Sequence, residues 1–164
     1  VGNQDEALDY LGRWEEEVPP EMAGRYDADE RKLQRSLIGG VEVDPEGVLA
    51  AIEEYRTRLR CRRCYRGEEA AALEALGRSE EARDVWMSAA TQIETNFSVS
   101  LLQRAMAWER VGSLSDEIGD TEAALRGYRE FTALWADADP ELQPRVQAAQ
   151  ERIRELEAAE TGGE

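Results

Sequence analysis

The chain has 164 residues, 41% hydrophobic and 34% charged, with a formal net charge of −16 and no histidine. Such a composition suits one soluble, folded domain, and its acidity disfavours nucleic acid and anionic membrane surfaces as partners. Without histidine, Ser-His-Asp and Cys-His nucleophiles and mixed Cys/His zinc sites are excluded, which leaves carboxylate-only or cysteine-only chemistry. No run approaches the roughly 20 apolar residues that span a bilayer, and no signal peptide is visible. The chain begins at Val1 rather than Met. It is read as processed or excised, so its compartment stays open.

Helices are predicted near residues 4–18, 20–38, 45–61, 64–76, 79–93, 97–118, 121–136 and 140–159. The first follows Gly2 and carries Ala7 and Trp14, with Pro19 beyond it. Gly39-Gly40 ends the second. Asp44-Pro45 opens the third, because proline is tolerated in a first turn, and Ala51 and Tyr55 follow as small and aromatic positions. The fourth carries Ala70 and Leu73 and ends at Gly77. The fifth opens on Ser79 as a cap, with Glu80 and Glu81 favouring the helix dipole, then Ala82, Trp86 and Ala89.

The strongest pattern runs from Trp108 to Phe131. Trp108, Val111 and Gly112 are followed by Gly119, then Ala124, Tyr128 and Phe131. Small residues at Gly112 and Ala124 permit close approach of two helices. Gly119 suits the left-handed conformation that ends a helix, and Asp120 or Thr121 can cap the next. Trp108, Tyr128 and Phe131 fill the space around the small residues. After Asp139-Pro140, a stripe of Leu142, Val146, Ala149, Ile153 and Leu156 reads as a capping helix with a polar outer face. Thr161 to Glu164 reads as a tail.

These offsets resemble the tetratricopeptide (TPR) repeat, with Ser115 standing where that pattern has a tyrosine. The stretch Glu117 to Phe131, with Leu134-Trp135 and Asp139-Pro140 to Pro144, is similar to the C-terminal end of TPR regions in bacterial signalling proteins. In that group such regions are often appended to serine/threonine kinases or transcriptional regulators, and a Cys-x-x-Cys pair like Cys61 and Cys64 recurs before the penultimate repeat. The resemblance covers about residues 61–157. No kinase motif occurs in the chain. What it implies is an all-α, right-handed solenoid of antiparallel helix pairs spanning 1–160. Residues 1–18 would be a half repeat, 20–61 a degenerate repeat, 63–94 and 97–136 full repeats, 140–159 the cap and 161–164 the tail.

The fold also implies an inner groove lined by Met106, Glu109, Ser113, Asp116 and Glu117, and in the preceding repeat by Cys64, Gly67, Ala71, Glu74 and Ala75. That groove is acidic and lacks the Lys and Asn positions that clamp a peptide carboxylate in chaperone co-factors of this fold. A basic or amphipathic helical ligand suits it better than an acidic C-terminus; a solvated face without a ligand is the alternative.

Cys61 and Cys64 lie in the only basic cluster, among Arg56, Arg58, Arg60, Arg62, Arg63 and Arg66. Arginines favour the thiolate. A structural disulfide or thiol pair, a redox switch and half of a metal site all stay open, although a tetrahedral site needs more ligands than two cysteines supply. The arginines could bind phosphate, pair with acids such as Glu53, Glu54, Glu68 and Glu69, or dock onto the acidic face of another copy. The runs Glu15-Glu16-Glu17 and Glu80-Glu81 form no catalytic dyad, because adjacent residues on a helix point apart. Trp14, Trp86, Trp108 and Trp135 read as core wedges.

The expectation is a non-catalytic protein–protein interaction scaffold with no cofactor and no resident metal, an arm or fragment of a larger bacterial protein. A self-assembling subunit built by end-to-end stacking is the alternative, and a cysteine-pair redox or metal protein the second. Partners are other proteins or further copies of the chain. An extracytoplasmic location follows if Cys61 and Cys64 are oxidised.

Overall fold

The computed structural model describes residues 4–17, 28–59, 61, 64–91 and 101–162. Among these the chain is all-helical, with no strand: α1 (Gln4–Glu17), α2 (Ala28–Gly39), α3 (Pro45–Leu59), α4 (Arg66–Ala75), α5 (Ser79–Thr91), α6 (Leu101–Glu117), α7 (Thr121–Leu134) and α8 (Gln143–Gly162). The helices fall into two compact units, Val1–Arg78 and Ser79–Glu164. Residues 1–3, 18–27, 60, 62, 63, 92–100, 163 and 164, on which parts of the expected helices, repeats and tail fall, lie outside the described residues.

In the first unit α1 packs on α2, α2 on α3 and α3 on α4. Its core is Leu33, Val48, Ala51, Ile52 and Ala72, ringed by Leu37, Val41, Leu49, Tyr55 and Tyr65. Gly39 stays in helix α2, while Gly40 takes φ +95° and turns the chain. The Gly40 carbonyl accepts from Val43 and Asp44. The Asp44 carboxylate accepts from the Gly47 amide at 3.0 Å. That is the expected helix start, with Pro45 in the first turn where its missing N–H costs nothing.

In the second unit α5 packs on α6, α6 on α7 and α7 on α8. The main core comprises Ala90, Ala105, Ala107, Trp108, Val111, Phe131, Trp135, Val146 and Ala149. Burying each large side chain contributes about 1.5–3 kcal/mol. Phe131 and Trp135 meet at 5.1 Å between ring centroids, and the Arg126 guanidinium covers Trp108 at 5.2 Å. Trp86 is half-buried and packs against this core. A smaller cluster of Ala124, Leu125 and Leu156 joins α7 to α8.

The α6–α7 hairpin is the tightest contact in the unit. A β-carbon built on Gly127 would stand 2.4 Å from the Gly112 nitrogen and 2.9 Å from the Trp108 carbonyl. One on Gly112 would strike the Tyr128 ring at 2.7 Å. Two glycines facing each other, with Ala124 wholly buried beside them, let the backbones touch. Ser115, in the slot where the repeat pattern has tyrosine, is fully buried.

The turn at the end of α6 follows from its residues. Gly119 takes φ +82°. Its amide donates to the Asp116 carbonyl at 3.1 Å and the Asp120 amide to the Ser115 carbonyl at 2.8 Å. This pair of bonds satisfies carbonyls that a helix end leaves open. The Asp120 side chain then accepts from the Ala123 amide at 3.1 Å and caps α7. The end of α4 repeats the arrangement. Gly77 takes φ +70°, its amide donates to Glu74 and that of Arg78 to Leu73.

The last helix departs from expectation at both ends. Asp139-Pro140 forms a turn, with the Leu142 amide donating to the Asp139 carbonyl at 2.8 Å, and α8 starts at Gln143. Pro144 supplies the tolerated first-turn proline instead. The Gln143 side chain folds back to donate to the Ala138 carbonyl at 2.8 Å. At the other end α8 runs to Gly162, so Thr161, expected in a tail, is helical. Its hydroxyl donates to the Glu157 and Ala158 carbonyls.

Candidate functional site

Of the five α6 positions expected to line a groove, two are occupied by α8. The Arg152 guanidinium grips Asp116 with both arms, Nε to Oδ2 at 2.6 Å and a terminal nitrogen to Oδ1 at 2.8 Å. Arg145 grips Glu109 likewise, with Nε donating to Oε1 at 3.0 Å and a terminal nitrogen reaching Oε2. It also lies 5.1 Å above the Trp135 ring. Both pairs span 36 residues. Glu109 and Asp116 stand two turns apart on α6, as Arg145 and Arg152 do on α8. The two rungs therefore run in the same order along both helices, which are parallel, with α7 as the return between them.

The electrostatics follow from this geometry. The Arg152 hydrogen bonds hold the Asp116 carboxyl below the usual carboxylate range, against an opposing push from burial. Tyr128 donates its hydroxyl to Asp116 at 3.4 Å. Burial first, and the Asp116 charge second, push the Tyr128 phenol up to about 12. Arg152 is driven further above its ordinary value by its bond to Asp116. Bidentate arginine–carboxylate pairs are the stronger ion pairs, and these are partly shielded, with 18% of the Asp116 side chain and 21% of Glu109 exposed.

The other three α6 positions remain on the surface. Met106 is 42% exposed, Glu117 is exposed and Ser113 half-buried. The Ser113 hydroxyl is turned back onto the Arg110 carbonyl at 3.2 Å. Ala71 and Glu74 are half-buried on α4, in the first unit, with Gly67 half-buried and Ala75 exposed.

Cys61 and Cys64 are joined as a disulfide, with α-carbons 5.7 Å apart. Of the arginines around it, Arg58 is exposed and Arg66 half-buried; Arg60, Arg62 and Arg63 lie outside the described residues. Arg56 is engaged internally. Its Nε donates to the Cys64 carbonyl at 2.8 Å and a terminal nitrogen to Glu69 at 2.7 Å. Lys32 pairs with Glu54. Among the described residues no cluster of three or more Cys, Asp or Glu side chains is arranged to hold a metal ion, and no helix is long and apolar enough to cross a membrane.

Three features escaped the sequence reading. Gly127 carries as much of the close approach as Gly112, yet it lies on a helix face that the repeat pattern leaves unspecified. The two rungs could have been found by noticing acids at 109 and 116 and arginines at 145 and 152 with equal spacing. The left-handed Tyr65, φ +59°, has no local signal, since tyrosine does not favour that region. No family model, curated protein or solved structure matches the chain.

Proposed function

We propose that the chain is a tetratricopeptide-like solenoid of antiparallel helix pairs that works as a non-catalytic protein-binding scaffold, an arm of a larger bacterial protein. One observation carries the reading. The Glu109–Arg145 and Asp116–Arg152 rungs place α8 parallel to α6 after an antiparallel return. That is how the first helix of one repeat meets the first helix of the next. The like-built turns at Gly77 and Gly119 support it, because a repeat reuses its connections. The side chains of the acidic row that α8 leaves uncovered, Met106 and Glu117, combine an exposed apolar contact with a negative charge. Such a surface suits a basic amphipathic helix.

The test is a titration of a fluorescent, lysine-rich amphipathic helical peptide against the chain, with a glutamate-rich peptide of the same pattern as control. Saturable binding of the basic peptide is expected, weakened by salt. The double change Met106→Asp with Glu117→Arg should cut affinity about tenfold, or ~1.4 kcal/mol. Equal binding of both peptides, or none of either, would remove this surface as the ligand face.

A further inference from the structure

Among the described residues, several restraints between α3 and α4 meet at Cys64 and Tyr65. Cys61 and Cys64 close a ring there, and the Cys64 amide donates to the Cys61 carbonyl at 3.4 Å. The next residue, Tyr65, sits in the left-handed region at φ +59°, ψ 36° and is the cap residue of α4. An L side chain there costs about 1–2 kcal/mol, so its surroundings must hold it. Three restraints do so. The ring fixes the backbone immediately before it. Arg56, in the last turn of α3, holds the Cys64 carbonyl and the Glu69 carboxylate together. Tyr55 of α3 meets the Tyr65 ring edge-on at 5.2 Å. With Tyr65 so placed, its carbonyl accepts the Glu69 amide at 2.9 Å, at the entry to α4.

We propose that the Cys61–Cys64 disulfide is a redox latch on this elbow: closed, it keeps Tyr65 left-handed and the first turn of α4 wound, and opened by a dithiol it lets that turn unwind. Both cysteines are partly exposed, so a dithiol can reach them. One thiolate of the reductant attacks a protein sulfur, the Cys61–Cys64 S–S bond breaks and a mixed disulfide forms. The second reductant sulfur then displaces the protein sulfur. Two electrons pass to the protein, the reductant leaves as its own disulfide, and its two protons end on Cys61 and Cys64. Tyr65 then relaxes to an ordinary backbone conformation. This withdraws the Cys64 carbonyl from Arg56 and the Tyr65 carbonyl from the Glu69 amide. The latch is independent of the binding reading, because what it moves is the chain's own backbone.

The test is amide hydrogen exchange on the whole chain, air-oxidised and then reduced with dithiothreitol. The control is the Ala124 amide, which makes the corresponding bond to the Asp120 carbonyl at the entry to α7. Reduction should speed exchange at Glu69 about tenfold or more while Ala124 stays unchanged. Reoxidation should reverse it, and Cys61→Ser with Cys64→Ser should match the reduced pattern without reductant. An unchanged Glu69 would make the disulfide an inert staple. Equal acceleration at Glu69 and Ala124 would mean global loosening, and either result overturns the latch. If the double variant does not fold, the reversible wild-type comparison decides alone.

Discussion

The α6–α7 hairpin and the α3–α4 elbow join helices by opposite means. At α6–α7 the joint is made by what is missing. Gly112 and Gly127 have no side chain to hold the backbones apart, and Gly119 has none to oppose a left-handed turn. At α3–α4 the joint is made by what is added: a disulfide, a bridging arginine and a pair of tyrosine rings that hold a residue where it does not prefer to be. A joint built from small residues is stable by default. One built from long-range groups depends on each of them, and is the one that conditions can change.

The largest expected effect breaks the first kind. Gly127→Val should destabilise the second unit by about 3 kcal/mol or more, because the new β-carbon meets backbone that cannot rotate away. Urea denaturation followed by tryptophan fluorescence reads this directly, since Trp86, Trp108 and Trp135 all lie in that unit. A loss below about 1 kcal/mol would show that the helices are not in backbone contact.

A middle effect tests the rungs that hold α8. Asp116 has a folded-state pKa below its ordinary 3.8. Its pair with Arg152 therefore contributes stability that is complete above about pH 4 and fades as pH falls through the lowered value. Tyr128 has the opposite sign. Raised from 10.0 to about 12, it contributes stability below pH 10 that is lost as pH rises toward 12. Arg152→Ala should lower stability modestly at neutral pH, since its side chain is largely exposed and solvent screens the pair. The difference from wild type should shrink below pH 4. A pH-independent difference would assign the effect to packing rather than to the ion pair.

The smallest effect sharpens the comparison itself. Gly119→Ala should cost about 1 kcal/mol, because alanine resists φ +82°. Tyr65→Gly should change stability by less than about 0.5 kcal/mol, since relief at the backbone offsets the lost contact with Tyr55. Thermal melts of the two variants side by side decide it. A large loss at Tyr65→Gly would make the ring contact, not the backbone, the dominant restraint.

Most local features were legible in the residues. Asp44-Pro45 starts a helix, Gly119-Asp120 ends one and caps the next, and the glycines that turn the chain stand where they were expected. Such signals work because a turn is decided by the conformational freedom of one or two residues. The start of α8 was misplaced by a few residues because two prolines, Pro140 and Pro144, could each serve a first turn. The turn bonded from the Leu142 amide to the Asp139 carbonyl, with the Gln143 side chain bonded back to Ala138, places the start after Pro140. The candidate site was legible as a row of positions but not as a state of occupancy. Glu109 and Asp116 read as ligand-facing acids, and α8 in fact brings arginines to both.

By itself the sequence determined that this chain would be helical and where several of its turns would fall, because those depend on backbone preference and on the period of the apolar pattern. Tertiary structure alone decided which charges find partners, that Gly127 faces Gly112, and that Tyr65 is held left-handed. Each of these is set by what another helix brings to within a few ångströms, which no local stretch of the chain specifies.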